Sequence, residues 1–403
     1  MLSVVSVDQA EALCASLAGT VPREETLPLS ALSGRVLSRA VRPAGDVPLF
    51  SRSAMDGYAV IAADTFGAGE SAPAELTVIG QIAMGEETAL SLAPGEAARI
   101  PTGGMLPKNA DAAVPVEYTE EDGFSSVLVY RGVSPLENVV RRGDDLRGGD
   151  VLFAPGVRLD PAKIASLAAA GIERCAVYAR PRVGILSTGN EVDPVGAPDR
   201  PGRVRDVNSH LLYAVCLAFG CEPRLYGIVP DELGALKAAL SRAAAENDLI
   251  LLSGGSSAGE RDLTAAAISA LGELLAHGVA MKPGKPTVIG RVGPAPVFGL
   301  PGHPAACYFV AETLVRRCIE TLSGALLPAY KARATLTDNI SSNHGRTEFV
   351  CVRLSGGKAT PVYGKSGVVS QLSRADGYLR VERDREGVSA GAEVEITLFE
   401  RPI

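Results

Sequence analysis

Four strand-like runs alternate with three helical stretches between residues 180 and 328, and this alternation limits the possible fold more than any other feature. The runs are "RVGILST", "EPRLYGIV", "DLILLSG" and "APVFGL". Helical patterns stand between them at Ser209–Phe219, Asp231–Ala245 and Leu263–Leu271. Apolar strands separated by helices favour a parallel sheet that is buried on both faces. The pattern therefore predicts a doubly wound α/β domain.

The rest of the chain is richer in strands. Short runs separated by Gly and Pro ("ELTVIGQI", "GEAARIP", "AAVPVEY", "SSVLVYRG") predict a small β-rich domain, and we expect it to be an insertion between two segments that pack together. Period-two alternation in "ARATLTDNI", "TEFVCVRL" and "EVEITLF" predicts a small β domain at the C-terminus. The predicted organisation is a split linker domain (1–50 and 140–179), an inserted β-rich domain (51–139), the α/β domain (180–328) and a C-terminal β domain (329–403).

Composition and charge exclude several classes of protein. The chain of 403 residues is 46% hydrophobic and 21% charged, as in ordinary globular proteins. A net charge of −7 argues against a nucleic-acid surface. Seven cysteines without a CxxC pair are typical of reduced cytosolic thiols. There is no basic leader and no apolar run of about eighteen residues, so we expect a soluble, cytoplasmic protein that binds neither membrane nor nucleic acid.

Three loops at the ends of predicted strands carry residues that suit an anionic ligand. Ligands of open α/β sheets bind beyond the carboxyl ends of the strands, and glycine-rich turns let backbone N–H groups approach a phosphate. One such turn is explained equally well as an ordinary connection, but three on one edge favour a binding site. The candidates are Thr188, Gly189 and Glu191 in the first loop, Ser253, Gly254, Gly255, Ser257, Gly259 and Asp262 in the second, and Pro301 and Pro304 in the third.

A fourth segment, "MKPGKP", places Lys282 and Lys285 on a loop stiffened by proline. Two ammonium groups on a rigid loop form a plausible phosphate clamp. The alternative is a solvated surface turn, which for lysines alone is the more common case.

Several acidic residues are candidates for catalysis or metal binding. Carboxylates near a phosphate site favour Mg²⁺ and a phosphorylated substrate, because a cation between the carboxylates and the phosphate offsets their mutual repulsion. An aspartate in a turn such as "AMDGYA" is, on its own, more often structural. The residues by themselves predict an α/β protein that handles Mg²⁺ and phosphate, without naming a substrate. The acids are Asp56, Asp145, Glu191, Asp231 and Asp262, and the amide-rich turn "RIPTGG" adds Thr102.

Six motifs in order, "SAMDGYAV", "PTGG", "STGNEV", "SGGSSAGERD", "MKPGKP" and "LPGHPAA", resemble the molybdopterin molybdenumtransferases, the MoeA family that includes the gephyrin E domain. The resemblance runs from about residue 5 to the C-terminus. It implies an elongated homodimer whose active site lies between the α/β domain of one subunit and the inserted domain of the other. It also implies a reaction in which adenylylated molybdopterin, molybdate and Mg²⁺ give molybdenum-loaded molybdopterin and AMP, with a molybdopterin adenylyltransferase as functional partner.

The resemblance also assigns roles to residues. It implies that Asp262 and Glu191 help to hold Mg²⁺, with Asp56 as a further metal ligand, and that the glycine loop 254–259 and Lys282 hold the pterin phosphate. Residues of the partner subunit would position molybdate. The implied catalytic set is Asp56, Thr102, Asp145, Glu191, Asp231 and Asp262, with Pro301 and Pro304 at further functional positions.

Three positions depart from the family pattern. Val140 stands where the family usually has arginine, although Arg141 is adjacent. Cys351 replaces a common arginine while Arg346 is kept, and His303 replaces a frequent asparagine. Because arginine binds oxyanions bidentately, its loss predicts weaker capture of molybdate and leaves open a divergent paralogue that handles tungstate.

Two other classes of function compete with the enzyme. A non-catalytic scaffold that binds molybdopterin would keep the fold and the phosphate loops, but it would not need Asp56, Glu191 and Asp262. A generic nucleotide-binding α/β protein would bind ATP without any pterin. The presence of the acids favours the enzyme.

Overall fold

The computed structural model describes residues 4–17, 22–123, 125–254, 263–364, 367 and 369–399. The chain forms two compact units, a larger one of residues 1–25 and 178–403 and a smaller one of residues 26–177. Among the described residues, no helix is long and apolar enough to cross a membrane. The four-domain division stays a prediction.

The larger unit is built on a six-stranded sheet. Its first four strands are parallel, as predicted, and each follows a helix or loop that returns the chain to the same edge. The last two strands were not predicted. They form an antiparallel edge, because the two-residue turn Gly293-Pro294 reverses the chain directly into the neighbouring strand. In spatial order the strands are Glu222–Val229, Arg182–Thr188, Leu249–Ser253, Ala295–Leu300, Val288–Val292 and Glu273–His277.

Helices cover both faces of this sheet, which confirms the doubly wound prediction. In the strand Leu249–Ser253, Leu249 and Leu251 belong to one hydrophobic core, while Ile250 and Leu252 belong to another. A strand buried on both faces needs apolar residues at every position, which explains the continuous run in the sequence. The first core also holds helices Val7–Leu17, Asn208–Ala218, Pro304–Val310 and Arg316–Ser323, the last two joined by a π-helical turn at Ala311–Val315; the second holds Leu233–Glu246 and Leu263–Leu271.

Five strands of the C-terminal segment and the short strand Met281–Lys282 form a second six-stranded sheet within the larger unit. Five of its strands close on themselves, because Gly377–Val381 pairs with both Glu393–Leu398 and Thr347–Ser355. The three predicted strands are confirmed, and residues on one face of each form a separate core. The strand Thr347–Ser355 is buried on both faces at its start, because Phe349 and Cys351 belong to the first core. The strands in order are Met281–Lys282, Thr347–Ser355, Lys358–Pro361, Lys331–Leu336, Glu393–Leu398 and Gly377–Val381, with helix Ser370–Ser373 and the pair Ile340–Ser341 and Gly387–Val388 beside them.

The smaller unit contains the predicted β-rich segment as a six-stranded sheet. The turn predicted at Asp56-Gly57 leads directly into the strand Gly57–Val60, which the sequence pattern did not predict. A Cβ atom at Gly57 would lie 1.9 Å from the Val114 carbonyl oxygen, so glycine permits this close pairing. The sheet order is Ala112–Pro115, Gly57–Val60, Glu96–Ile100, Ala74–Gln81, Ser126–Val129 and Thr119–Glu121.

Shorter elements complete the chain. The helix Pro161–Ala169 begins where the Asp160 side chain accepts the Lys163 backbone N–H. Single turns of 3₁₀-helix lie at Leu29–Ala31, Ala62–Thr65 and Val116–Tyr118. Two-stranded pairs join Glu24–Pro28 to Arg174–Tyr178, Arg52–Ser53 to Val139–Val140, and Val192–Asp193 to Val204–Arg205.

A buried ion cluster anchors the end of the α/β segment in the larger unit. Arg316, with 11% of its side chain exposed, pairs with Glu312 at 2.6 Å and Glu320 at 3.4 Å. It also donates to the carbonyl oxygens of Leu327 at 2.8 Å and Pro328 at 2.7 Å. Burial raises the pKa of Glu312, and the neighbouring guanidinium of Arg316 opposes that rise. The Arg316 guanidinium therefore pairs with two largely buried carboxylates and also donates to two backbone carbonyl oxygens.

We predict that Arg316→Ala lowers the free energy of unfolding by about 3–5 kcal/mol, because it removes the cation that pairs with the largely buried Glu312 carboxylate, whereas Glu320 keeps its ion pair with Arg317. The matched control is Arg333→Ala, whose side chain is 79% exposed and pairs with Glu393. We expect that control to cost no more than about 1 kcal/mol. Urea unfolding of both variants measures the difference, and equal losses would contradict the prediction.

Candidate functional site

Three strands of the larger unit end at the same level. Ser187 is paired in register with Ser253, and Ser253 is paired with Leu300. Because these strands are parallel, the three loops that follow them leave the same edge of the sheet. A cavity of about 890 Å³ opens at this edge. Its volume is that of a site for a small organic ligand.

Most of the described residues that the sequence singled out in this unit line the cavity. Gly189 and Asp231 lie beside it, in the loops that shape its wall. Gly255, Ser257, Gly259 and Asp262 fall outside the described residues. The predicted residues that line the cavity are Thr188, Glu191, Ser253, Gly254, Lys285, Pro301 and Pro304.

The first two loops touch through backbone atoms. Gly254 has φ +101°, and its N–H donates to the Leu300 carbonyl oxygen at 3.2 Å. A Cβ atom at this position would lie 2.1 Å from the Thr188 carbonyl oxygen. Both the left-handed backbone and the close approach require glycine. The second loop therefore starts against the end of the neighbouring strand.

Asp231 holds the first loop in place. Its carboxylate accepts the Thr188 hydroxyl at 2.6 Å and the Asn190 backbone N–H at 3.1 Å. The Asn190 side chain accepts the Asp231 N–H in return, at 3.3 Å. Asp231 is half-buried and its contacts are with protein groups. Asp231, which was predicted to be catalytic, therefore positions the loop that carries Glu191.

An arginine on the cavity wall is fixed by a buried aspartate. Arg203 donates to the Asn190 and Val192 carbonyl oxygens and pairs with Asp193. Hydrogen bonding from Arg203, opposed by desolvation and aided by Arg200 at 2.9 Å, lowers the pKa of Asp193 to about 2. Asp193 is therefore ionised at neutral pH, and Arg203 is held beside the ligand space.

Sequence reasoning missed the segment 203–208, which forms one wall of the cavity. Asp206 is buried and accepts the Ser187 hydroxyl at 2.9 Å and the Ser209 N–H at 3.1 Å. Asn208 is buried at the first position of the helix Asn208–Ala218. Asp and Asn directly before a helical pattern are typical of a helix start, and that signal could have drawn attention to them.

The two predicted phosphate lysines have different surroundings. Lys282 pairs with the buried Glu348 at 2.7 Å and lines a second cavity of about 520 Å³. Lys285 is exposed and lines both cavities, as does His303. Cys351 is buried in the second cavity's wall, where burial raises the pKa of its thiol to about 11. Lys285 is therefore the better placed cation for an anion in the first cavity.

Of the three predicted residues in the smaller unit, Asp56 and Thr102 are in contact with each other. Thr102 donates to one Asp56 carboxylate oxygen through its backbone N–H at 2.6 Å and its hydroxyl at 2.9 Å. These hydrogen bonds, the backbone one first, lower the pKa of Asp56. Asp145 is exposed, and its backbone N–H donates to the Val47 carbonyl oxygen at 3.0 Å. Arg141, the neighbour of Val140, pairs with Asp144 at 3.0 Å.

The described residues contain no group of three or more His, Cys, Asp or Glu side chains that could hold a metal ion. Mg²⁺ commonly binds through one or two carboxylates together with substrate phosphates. Glu191, an exposed carboxylate on the cavity wall, fits that donor chemistry.

A cavity at the carboxyl edge of a doubly wound sheet, with glycine turns and cations on its walls, is typical of α/β proteins that bind an anionic ligand at their strand ends. Family models match three parts of the chain: the MoeA N-terminal region (domain I and II) over residues 5–171, a probable molybdopterin binding domain over 184–321 and the MoeA C-terminal region (domain IV) over 333–399. The chain belongs to the MoeA family.

Relatives of known name cover nearly the whole chain. A molybdopterin molybdenumtransferase of Bacillus subtilis is 34% identical, with 91% of this chain and 87% of that protein covered. Molybdopterin molybdenumtransferase 2 of Mycobacterium tuberculosis is also 34% identical, over 93% of this chain and 95% of that protein. The crystal structure of a molybdopterin biosynthesis MoeA protein from Pyrococcus horikoshii superposes with a TM-score of 0.88 at 37% identity, covering 99% of this chain and 100% of that one.

We predict that Gly254→Ala destabilises the larger unit by about 2–5 kcal/mol, since it combines a left-handed alanine with a backbone clash. Gly227→Ala is the matched control, because Gly227 has φ +83° but no atom within 4 Å of an added Cβ. Its cost should be about 1–2 kcal/mol, from the backbone conformation alone. Free energies of unfolding in urea test the difference, and equal values would show that the contact with Thr188 does not constrain the loop.

Proposed function

We propose that this chain is a molybdopterin molybdenumtransferase of molybdenum cofactor biosynthesis. It takes adenylylated molybdopterin and molybdate, inserts molybdenum at the dithiolene and releases AMP. The observation that carries the proposal is the cavity at the aligned strand ends, whose walls contain residues of the family motifs "STGNEV", "MKPGKP" and "LPGHPAA". Family membership and the names of the relatives support the same reaction.

In this proposal the cavity holds the phosphates of the substrate. Lys285 supplies a positive charge from a loop stiffened by proline, and Arg203 supplies another from a position fixed by Asp193. The left-handed Gly254 lets the second loop approach the phosphate with its backbone. These groups offset the negative charge that leaves with AMP when the phosphoanhydride breaks.

Glu191 and Asp262 would hold Mg²⁺ beside that phosphoanhydride, with Asp56 as a further ligand, since carboxylates are its preferred protein ligands. When bound, Mg²⁺ neutralises phosphate charge in the transition state. Asp231 orients the loop of Glu191 through Thr188 and Asn190. The remaining predicted contacts, Gly189, Gly255, Ser257, Gly259, Lys282, Pro301 and Pro304, belong to the proposed pterin and phosphate site.

The proposed working form is a homodimer in which the partner subunit completes the site. Asp56, Thr102 and Asp145 from the partner would position molybdate. The double hydrogen bond from Thr102 keeps Asp56 ionised and fixed in direction, which suits a group that positions a ligand or metal. The upstream partner would be a molybdopterin adenylyltransferase, which supplies the adenylylated substrate. All seven cysteines are free and buried, which supports the reducing cytoplasm as its compartment.

Single-turnover AMP release from adenylylated molybdopterin tests the reaction, with Mg²⁺, with and without molybdate, and with molybdenum counted on the pterin product. Molybdate-dependent AMP release with metal incorporated supports the transferase. Tight pterin binding without AMP release would overturn it in favour of a scaffold. Release driven by tungstate alone would favour the divergent paralogue that the Val140 and Cys351 departures leave open.

We predict that Asp56→Asn slows AMP release by roughly 10–100-fold while the fold is kept, because asparagine still accepts both Thr102 hydrogen bonds but lacks the charge. The matched control is Asp64→Asn, since Asp64 in the same unit also accepts a backbone N–H, from Gly95 at 2.8 Å. The control should keep the wild-type rate. Unchanged AMP release in Asp56→Asn would remove Asp56 from the site.

Mixed dimers test the shared site directly. Asp56→Asn subunits mixed with Glu191→Gln subunits should recover about one quarter of wild-type activity, because half of the dimers are mixed and each of these has one intact site. If both residues act within one subunit, every site stays defective and no activity returns.

A further inference from the structure

The second cavity of the larger unit adjoins the cavity at the strand ends. It has a volume of about 520 Å³, and it shares Lys285, Pro286, Pro301 and His303 with the larger cavity. Lys285 is exposed, and within the part of the chain that the structure describes its ammonium group forms no ion pair. A ligand whose phosphate lies at this shared wall can therefore extend into either cavity.

Tyr363 lines the second cavity and leaves most of its surface open. It is 67% exposed. The other exposed tyrosines among the described residues, Tyr118, Tyr213 and Tyr330, are 36% to 39% exposed and line neither cavity. Tyr363 thus contributes little to a core, and its ring is available to a ligand in the second cavity.

The ring of Tyr363 is held in place through its hydroxyl. The hydroxyl donates to the Asn339 carbonyl oxygen at 3.1 Å. Asn339 is itself anchored, because its side chain accepts the Ala390 backbone N–H at 2.8 Å. A tyrosine has only two rotatable side-chain bonds, so a contact at its far end restricts the whole ring. A restricted aromatic surface loses little entropy when a flat ring stacks on it.

The chemistry of the second cavity suits a ring that is joined to a phosphate. Aromatic side chains bind heteroaromatic rings by stacking. Pro283 and Pro286 add apolar surface to the same cavity, and Lys285 supplies positive charge at the shared wall. One cavity therefore offers both an open aromatic ring and a cation.

We propose that Tyr363 is a stacking surface for a heteroaromatic ring of the bound substrate. This inference rests on the proposed function, since adenylylated molybdopterin carries two such rings, adenine and pterin, on either side of one phosphoanhydride. With the phosphoanhydride at Lys285, one ring occupies the cavity at the strand ends and the other lies on Tyr363. Both rings stack by the same chemistry, and binding each half separately identifies the one that contacts Tyr363.

Equilibrium binding to the full-length chain tests the proposal, with AMP and molybdopterin as separate probes. Tyr363→Ala should weaken one of them by about tenfold and leave the other unchanged, because stacking on an aromatic side chain contributes about that much. Tyr363→Phe keeps the ring, so both ligands should bind within about threefold of wild type. AMP weakened alone assigns adenine to Tyr363, and molybdopterin weakened alone assigns the pterin.

Fluorescence tests the contact independently of affinity. The chain contains no tryptophan, so Tyr363→Trp introduces a single indole and keeps a large aromatic surface. A ligand ring stacked on that indole should shield it from quenching by acrylamide. The matched control is Tyr330→Trp, because Tyr330 is exposed and lines neither cavity. Quenching of the control should stay unchanged when ligand binds.

Unchanged Kd for both ligands in Tyr363→Ala would overturn the proposal while leaving the transferase intact, and so would an equal loss for both, which would mean that Tyr363 supports the cavity rather than one ring. Shielding that is absent in Tyr363→Trp, or equal in the control, would overturn it as well. Failure of wild type to bind either ligand would overturn the proposed function and this proposal together. If Tyr363→Ala does not fold, acrylamide shielding in Tyr363→Trp decides alone.

Discussion

The in-register ends of three parallel strands are the constraint on which the site depends. Ser187, Ser253 and Leu300 are joined by backbone hydrogen bonding in one row, so the loops after them begin side by side. Alternate residues of the strand Leu249–Ser253 pack into the two cores, so a slip of one residue would exchange the faces of Leu249 to Leu252 and disrupt the packing of both cores. The packing of the sheet therefore decides where the cavity lies.

Near these strand ends, several of the described polar side chains form hydrogen bonds or ion pairs with other protein groups. Asp231 binds the loop at Thr188, Asp206 binds Ser187 and the start of a helix, and Asp193 binds Arg203. These contacts hold the walls of the cavity in place before any ligand enters, which reduces the entropy lost on binding. Among the described residues of the cavity wall, the charged groups exposed toward a ligand include the Lys285 ammonium and the Glu191 carboxylate.

The sequence predicted the elements whose signals are local. Continuous apolar runs revealed the parallel strands, period-two patterns revealed the C-terminal sheet, and ordered motifs revealed the family. What it could not predict depends on partners far away in the chain. The ion pair of Lys282 with Glu348 joins segments 66 positions apart, and the Arg316 cluster depends on burial that no local pattern encodes. The place of Tyr363 at the second cavity likewise depends on the contact of its hydroxyl with Asn339, which lies 24 positions earlier in the chain.

Hydrogen exchange of the whole chain, with and without AMP at saturating concentration, tests most directly whether the aligned strand ends form the ligand site. We predict slower exchange of backbone N–H groups in residues 187–191, 203–209 and 302–306, which contribute the cavity walls. Exchange that stays unchanged in all three segments, with protection confined to the C-terminal sheet at 331–398, would contradict it.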